Sequence, residues 1–101
     1  MINVEVTEND IIRAMKNTRF SPVQLAVSRK FNINPEDVDV GQDRIFVWSD
    51  DEDHKTYILE GDREEFDFFM SEWEFYVEKD IDFVEEEFVF QMSEKKFQES
   101  A

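Results

Sequence analysis

Residues 64–90 read EEFDFFMSEWEFYVEKDIDFVEEEFVF and hold eleven carboxylates, nine aromatic side chains and one base, Lys79. A folded chain can keep so many like charges beside so much apolar surface only if the rings share faces that the charges avoid. The spacing provides such a face. Phe66, Phe69, Met70, Trp73, Tyr76 and Val77 fall at offsets of three, four, seven, ten and eleven, which predicts the core side of an amphipathic helix.

On that helix Glu64, Asp67, Glu74 and Glu78 form a second stripe beside the first, spanning ~21 Å at 1.5 Å per residue, and Glu65 and Glu72 occupy the other flank. Phe68 and Phe75 fit neither stripe, because both project roughly opposite the core face. They are expected either under the terminal segment or exposed to a partner. Beyond the helix, Ile81, Phe83 and Val84 suit a helix start, whereas Phe88, Phe90 and Met92 alternate with Val89 and Gln91 and predict a final strand.

The earlier part of the chain reads as alternating short elements. Ile2, Val4 and Val6 alternate with polar residues as a half-buried strand. Thr7 is placed as an N-cap, with Glu8 and Asp10 in a first turn where the helix dipole favours acids. The predicted helix, residues 8–17, buries Ile11, Ile12 and Met15. Ser21 and Pro22 start a second helix with Val23, Ala26, Val27 and Phe31 inward, ended by Asn34-Pro35. Val38 and Val40 form a short strand leading to a turn at Gly41-Gln42-Asp43. RIFVW (44–48) and TYILE (56–60) pair as a hairpin, and Asp62 after Gly61 is expected to cap the third helix. The fold expected is a small α+β domain, order β-α-α-β-β-β-α-β, with an antiparallel sheet packed against helices. Residues 1–92 are expected to form the domain and residues 93–101 a flexible tail.

The chain of 101 residues suffices for one modest core, and 41% hydrophobic residues with 15% aromatics favour folding over disorder. No apolar run approaches the ~20 residues of a membrane span, and MINVEVTEND lacks the regions of a signal peptide, so a soluble, cytosolic protein is expected. The absence of cysteine excludes disulfides and thiolate chemistry. The net charge of −15 is concentrated: residues 1–49 hold seven acids and six bases, residues 50–87 seventeen acids and three bases, and residues 88–101 two of each. Acidity serving only solubility, or adaptation to high salt, would be spread around the surface. Charge gathered in one segment points to an interaction surface. Such a surface repels nucleic acid and anionic membranes and steers toward basic proteins.

Catalytic constellations are missing from the pattern. The one histidine, His54, lies in a charged loop without an evident nucleophile beside it, and the two glycines, Gly41 and Gly61, do not build a phosphate-cradling loop. Counted from Asp50, a calcium loop would need glycine at its sixth position and an acid at its twelfth, where the chain has Lys55 and Gly61. No enzyme, cofactor or metal site is therefore expected.

The order of pieces resembles a family of small, functionally uncharacterised bacteriophage and prophage proteins. The matching residues are Val6-Thr7 with Ile11, Ser21-Pro22-Val23-Gln24-Leu25-Ala26-Val27, Val38-Asp39-Val40-Gly41, Phe69 to Trp73, and Glu87-Phe88-Val89-Phe90-Gln91-Met92. Ser21 stands where that family has cysteine, Glu87 where it has proline, and this chain is far more acidic. The resemblance implies a phage origin, action in the cytoplasm of an infected bacterium and a terminal strand, and it carries over no catalytic residue.

Two functions fit. In the first, the protein mimics DNA and occupies the basic cleft of a DNA-binding protein, a host CRISPR effector in preference to a restriction enzyme. Four acids over ~21 Å are sparse against the roughly twelve charges of duplex DNA over that length. The mimic therefore needs Asp50, Asp51, Glu52, Asp53, Asp80, Asp82, Glu85, Glu86 and Glu87 on the same side as the helix stripe. In the second, the protein is an interaction adaptor whose anchors are the exposed aromatics Phe68, Phe75 and Phe83, ringed by solubilising acids.

Overall fold

The structure, a computed structural model, describes residues 1–48, 54–61, 63–83 and 86–95. Its elements are β1 (Ile2–Val6), α1 (Glu8–Lys16), α2 (Pro22–Phe31), a 3-10 turn (Pro35–Asp37), β2 (Val38–Val40), β3 (Arg44–Trp48), β4 (His54–Glu60), α3 (Glu64–Lys79) and β5 (Phe88–Glu94). The α+β class and the order expected from the sequence are both present.

Local chemistry accounts for most boundaries. Thr7 Oγ1 accepts from the Asp10 N–H at 3.2 Å while Asp10 Oδ2 accepts from the Thr7 N–H at 3.0 Å, a reciprocal box that starts α1. Ser21 and Gln24 repeat it at α2, at 3.1 and 3.0 Å, with Pro22 in the first turn. That helix stops before Asn34-Pro35. Asn32 adopts φ 56°, a left-handed conformation that asparagine tolerates, and the Ile33 N–H returns to the Ser28 carbonyl at 2.9 Å. At α3 the residue before the helix is Arg63, whose side chain makes no capping bond; the expected cap, Asp62, lies outside the described residues. Glu64, Glu65 and Asp67 fill the first turn, where the dipole favours them.

The five strands form one antiparallel sheet in the order β1-β5-β4-β3-β2. Because directly paired residues project to the same side, the register gathers one apolar face. Val4 pairs with Phe90, Val6 with Phe88, Leu59 with Met92, Ile45 with Tyr57 and Val38 with Val47, and all ten are buried. The two edges, β1 and β2, both touch α2, so the sheet curls around that helix. Arg29 Nη2 donates to the Glu5 carbonyl at 2.8 Å and Gln24 Nε2 to the Val38 carbonyl at 2.9 Å, so α2 supplies donors to both edges.

α3 rests on the same face through its rings. Phe66 lies 5.1 Å from Phe90 and 6.5 Å from Phe88, and Phe69 lies 4.4 Å from Phe88. Four details differ from the sequence reading. His54, expected in the hairpin loop, is the first residue of β4 and pairs with Trp48. Ile12 and Met15 are only partly buried, with Asp10, Ile11 and Ala14 forming the inner side of α1. Val77 is 43% exposed, because the packing centre follows Phe69, Trp73 and Tyr76 and leaves Val77 at the rim of the stripe. β5 runs past Met92 to Glu94, and the Lys95 N–H still donates to the Thr56 carbonyl at 2.7 Å. Residues 96–101 lie outside the described part.

Candidate functional site

The site is built on α3 and the segment that follows it. Asp80 closes the helix with φ 54°, its N–H bonded to the Tyr76 carbonyl at 3.1 Å, and reverses the chain. The described residues that follow, 81–83 and 86–88, are the return segment and lie alongside the helix. Phe83 meets Tyr76 at 6.0 Å, Trp73 at 5.4 Å and Phe69 at 5.2 Å, and Phe88 then meets Phe69 and Phe66, so the return segment runs antiparallel to α3. Edge-on ring contacts of this kind add to what burial alone contributes.

This packing decides the aromatics that the sequence left open. Phe68 is 67% exposed and Phe75 44% exposed, whereas Phe83 is 8% exposed. Phe83 is therefore a core residue and not the anchor expected in the adaptor reading, because the return segment turns its ring under Trp73. Phe68 and Phe75, one heptad apart, form an outward ridge along α3. The ammonium of Lys79 sits 5.2 Å from the centre of the Phe75 ring.

The acids fall on the two sides of that ridge. Glu64, Asp67, Glu74 and Glu78 are exposed on one flank. There Arg63 Nη2 approaches Asp67 at 3.5 Å and donates to the Gln42 carbonyl at 2.6 Å, and Asp67 and Glu74 line a cleft of about 470 Å³ against Val40, Gly41 and Gln42. On the other flank Glu65 and Glu72 face Glu86 and Glu87 across a smaller groove of about 190 Å³. Its apolar lining is Phe69, Phe83 and Phe88, with Phe68 as an exposed wall. Glu87 Oε2 accepts from the Glu8 N–H at 2.8 Å, one of the donors left open at the start of α1.

The acids proposed to lie together are thus divided. Glu86 and Glu87 flank α3 on the side away from the Glu64, Asp67, Glu74 and Glu78 stripe, because the return segment packs on the Phe69 side of the helix. Asp80 and Asp82 are exposed at and beyond its C-terminal end. Asp50, Asp51, Glu52, Asp53 and Glu85 lie outside the described residues. The groove itself was not read from the sequence. Its signal was the i, i+7 pair Glu65 and Glu72 beside Phe68, matched by a second acidic run immediately before Phe88.

Among the described residues no group of three or more His, Asp or Glu side chains is placed to share a metal ion, and no helix is long and apolar enough to cross a membrane. Compared with protein families, curated proteins and solved structures, the chain matches none of them.

Proposed function

We propose that this protein is an acidic mimic of duplex DNA that acts by occupancy, not catalysis, filling the basic cleft of a DNA-binding protein. The observation that carries this reading is the display of carboxylates on both flanks of α3 and along the return segment, over a floor of packed rings. Six acids on the 16-residue helix and four more at Asp80, Asp82, Glu86 and Glu87 surround ~24 Å of helix, where duplex DNA presents about fourteen phosphates. Lys79 and Arg63 offset part of that charge. Glu86 and Glu87 stand on the flank away from the Glu64, Asp67, Glu74 and Glu78 stripe, so the charge wraps the helix where a single anionic side was expected, and its density exceeds that of one stripe alone.

A rigid anionic surface meets Lys and Arg already arranged for phosphates and so competes with DNA for them. The target class proposed is a host defence nuclease, and an RNA-guided CRISPR effector is favoured over a restriction enzyme because its duplex-reading cleft is compact enough for a domain of this size. Phage origin and action in the cytoplasm of an infected bacterium belong to the same proposal. Exposure of Phe68 and Phe75 favours a second reading, an adaptor anchored on these rings.

The test is displacement of labelled duplex DNA from purified CRISPR effectors and restriction enzymes, repeated from about 50 to 300 mM salt. Competitive displacement that weakens with salt, and is lost when Glu64, Asp67, Glu74 and Glu78 are reversed to Lys, supports mimicry. Inhibition indifferent to salt and to those reversals, but lost in Phe68→Ala with Phe75→Ala, replaces it with the adaptor. No displacement from any of these enzymes at low salt removes the nuclease target.

A further inference from the structure

The two ridge phenylalanines stand in matched positions with unlike neighbours. One turn beyond Phe75 is Lys79, whose ammonium covers the ring at 5.2 Å. One turn beyond Phe68 is Glu72, and Phe68 is the more exposed of the two. Phe75 carries its own cation, while Phe68 presents a ring face with a counter-charge already beside it.

We propose that the groove between α3 and the return segment receives the guanidinium of an arginine from a protein partner, stacked on Phe68 and paired with carboxylates at the rim. This rests on the reading of an anionic surface that meets a basic partner, and it names the contact within that surface. The groove, at about 190 Å³, is smaller than the roughly 300–1,000 Å³ of small-molecule sites and suits one long side chain. Its floor is set by rings locked edge to face, with Phe83 5.2 Å from Phe69 at 80°. Its rim holds Glu65, Glu72, Glu86 and Glu87, of which Glu87 is fixed by the Glu8 N–H.

The chemistry selects the occupant. An apolar side chain would fill the floor but strip water from four carboxylates without replacing their hydrogen bonds. A phosphate or carboxylate would be repelled. A second copy of this chain brings the same charge of −15 to the interface. A guanidinium satisfies both parts: its plane stacks on a ring and its five donors reach carboxylates at the edge. An ammonium offers a point charge without the plane, so arginine is preferred to lysine.

The experiment is an NMR titration of the full chain, with labelled phenylalanine rings, against an oligoarginine peptide, its oligolysine equivalent and its neutral citrulline equivalent. The expected result is saturable shifts at Phe68, Phe83 and Phe88 with oligoarginine, weaker ones with oligolysine and none with citrulline. Phe68→Ala, a surface change that leaves the core rings in place, should weaken oligoarginine binding about tenfold, the loss of one stacked cation contact. Glu65→Gln with Glu72→Gln should do likewise.

Oligoarginine binding that leaves Phe68 unshifted and is unchanged in Phe68→Ala overturns the groove and leaves the anionic surface standing. Equal binding of oligolysine, independent of Phe68, also overturns it. So does concentration-dependent self-association abolished by Phe68→Ala, which would assign the groove to a second copy. Conversely, saturable groove shifts in a protein that displaces DNA from no nuclease support the arginine seat and remove the nuclease target.

Discussion

Arg29 Nη2 lies 2.9 Å from Asp10 Oδ2 and 2.8 Å from the Glu5 carbonyl oxygen, so one guanidinium ties a fully buried carboxylate in α1 to the open edge of β1. The hydrogen bond to Asp10 holds the Arg29 guanidinium above its ordinary value despite the opposing effect of burial. Arg29→Ala should lower stability by about 2 kcal/mol, less than the loss of a fully enclosed pair because solvent reaches half of the Arg29 side chain. For a domain of this size the melting temperature should fall by roughly 10 °C. Asp10→Asn should cost less, since the amide oxygen still accepts from Thr7. Thermal unfolding followed by circular dichroism reads both, and equal melting of Arg29→Ala and the parent would show the pair to be inert.

Tyr57 supplies a pH dependence of known sign. Burial pushes its phenol above 10.0, and Glu94, its partner across the β4–β5 register, adds repulsion against the phenolate. The folded state therefore holds this proton more tightly than the unfolded chain does. Its contribution is fully present below about pH 10 and is lost as pH rises through the folded value. Tyr57→Phe keeps the ring contact with Phe31 at 5.3 Å and removes the phenol. Urea midpoints measured from about pH 8 to pH 11 should fall more steeply in the parent than in Tyr57→Phe; parallel curves would contradict the assignment.

Phe83 and Phe68 should separate in a stability measurement. Phe83→Ala empties a site bounded by Phe69, Trp73 and Tyr76 and should cost about 3–5 kcal/mol. Phe68→Ala removes an exposed ring and should stay within about 0.5 kcal/mol of the parent. Denaturant unfolding gives both values. A large loss in Phe68→Ala would mean that its ring supports the fold.

Salt should stabilise this fold. Like charges crowd both flanks of α3, and screening relieves their repulsion over distances beyond ~10 Å at 0.1 M. Raising sodium chloride should increase the melting temperature, and the triple change Glu74→Gln, Glu78→Gln and Asp82→Asn should increase it at low salt while weakening any basic partner. If melting is independent of salt, repulsion on this surface is already neutralised within the fold.

Much of the fold was legible because its signals are local. The helix starts at Thr7 and at Ser21-Pro22, the ring period of α3 and the alternation of Phe88, Phe90 and Met92 each depend on neighbours within one element, where backbone geometry fixes which side chains share a face. The site was legible only in part. Periodicity placed Glu64, Asp67, Glu74 and Glu78 on one flank of α3 and Phe68 and Phe75 opposite the core, and the exposure of all six agrees. It could not tell where Phe83 would go: Ile81, Phe83 and Val84 suited a helix start, whereas residues 81–83 lie in neither helix nor strand and contacts with Phe69, Trp73 and Tyr76 place the ring.

The sequence by itself determined the elements, their order and the segregation of rings from acids within α3. Tertiary structure alone decided that β5 lies between β1 and β4, that the sheet curls until α2 touches both of its edges, and that the return segment buries Phe83 and sets Glu86 and Glu87 across a groove from Glu65 and Glu72. The reason is one of range. A residue's own helix or strand sets the direction of its side chain, but which faces meet depends on pairings such as Val6 with Phe88, formed between opposite ends of the chain and set by the packing of the whole core.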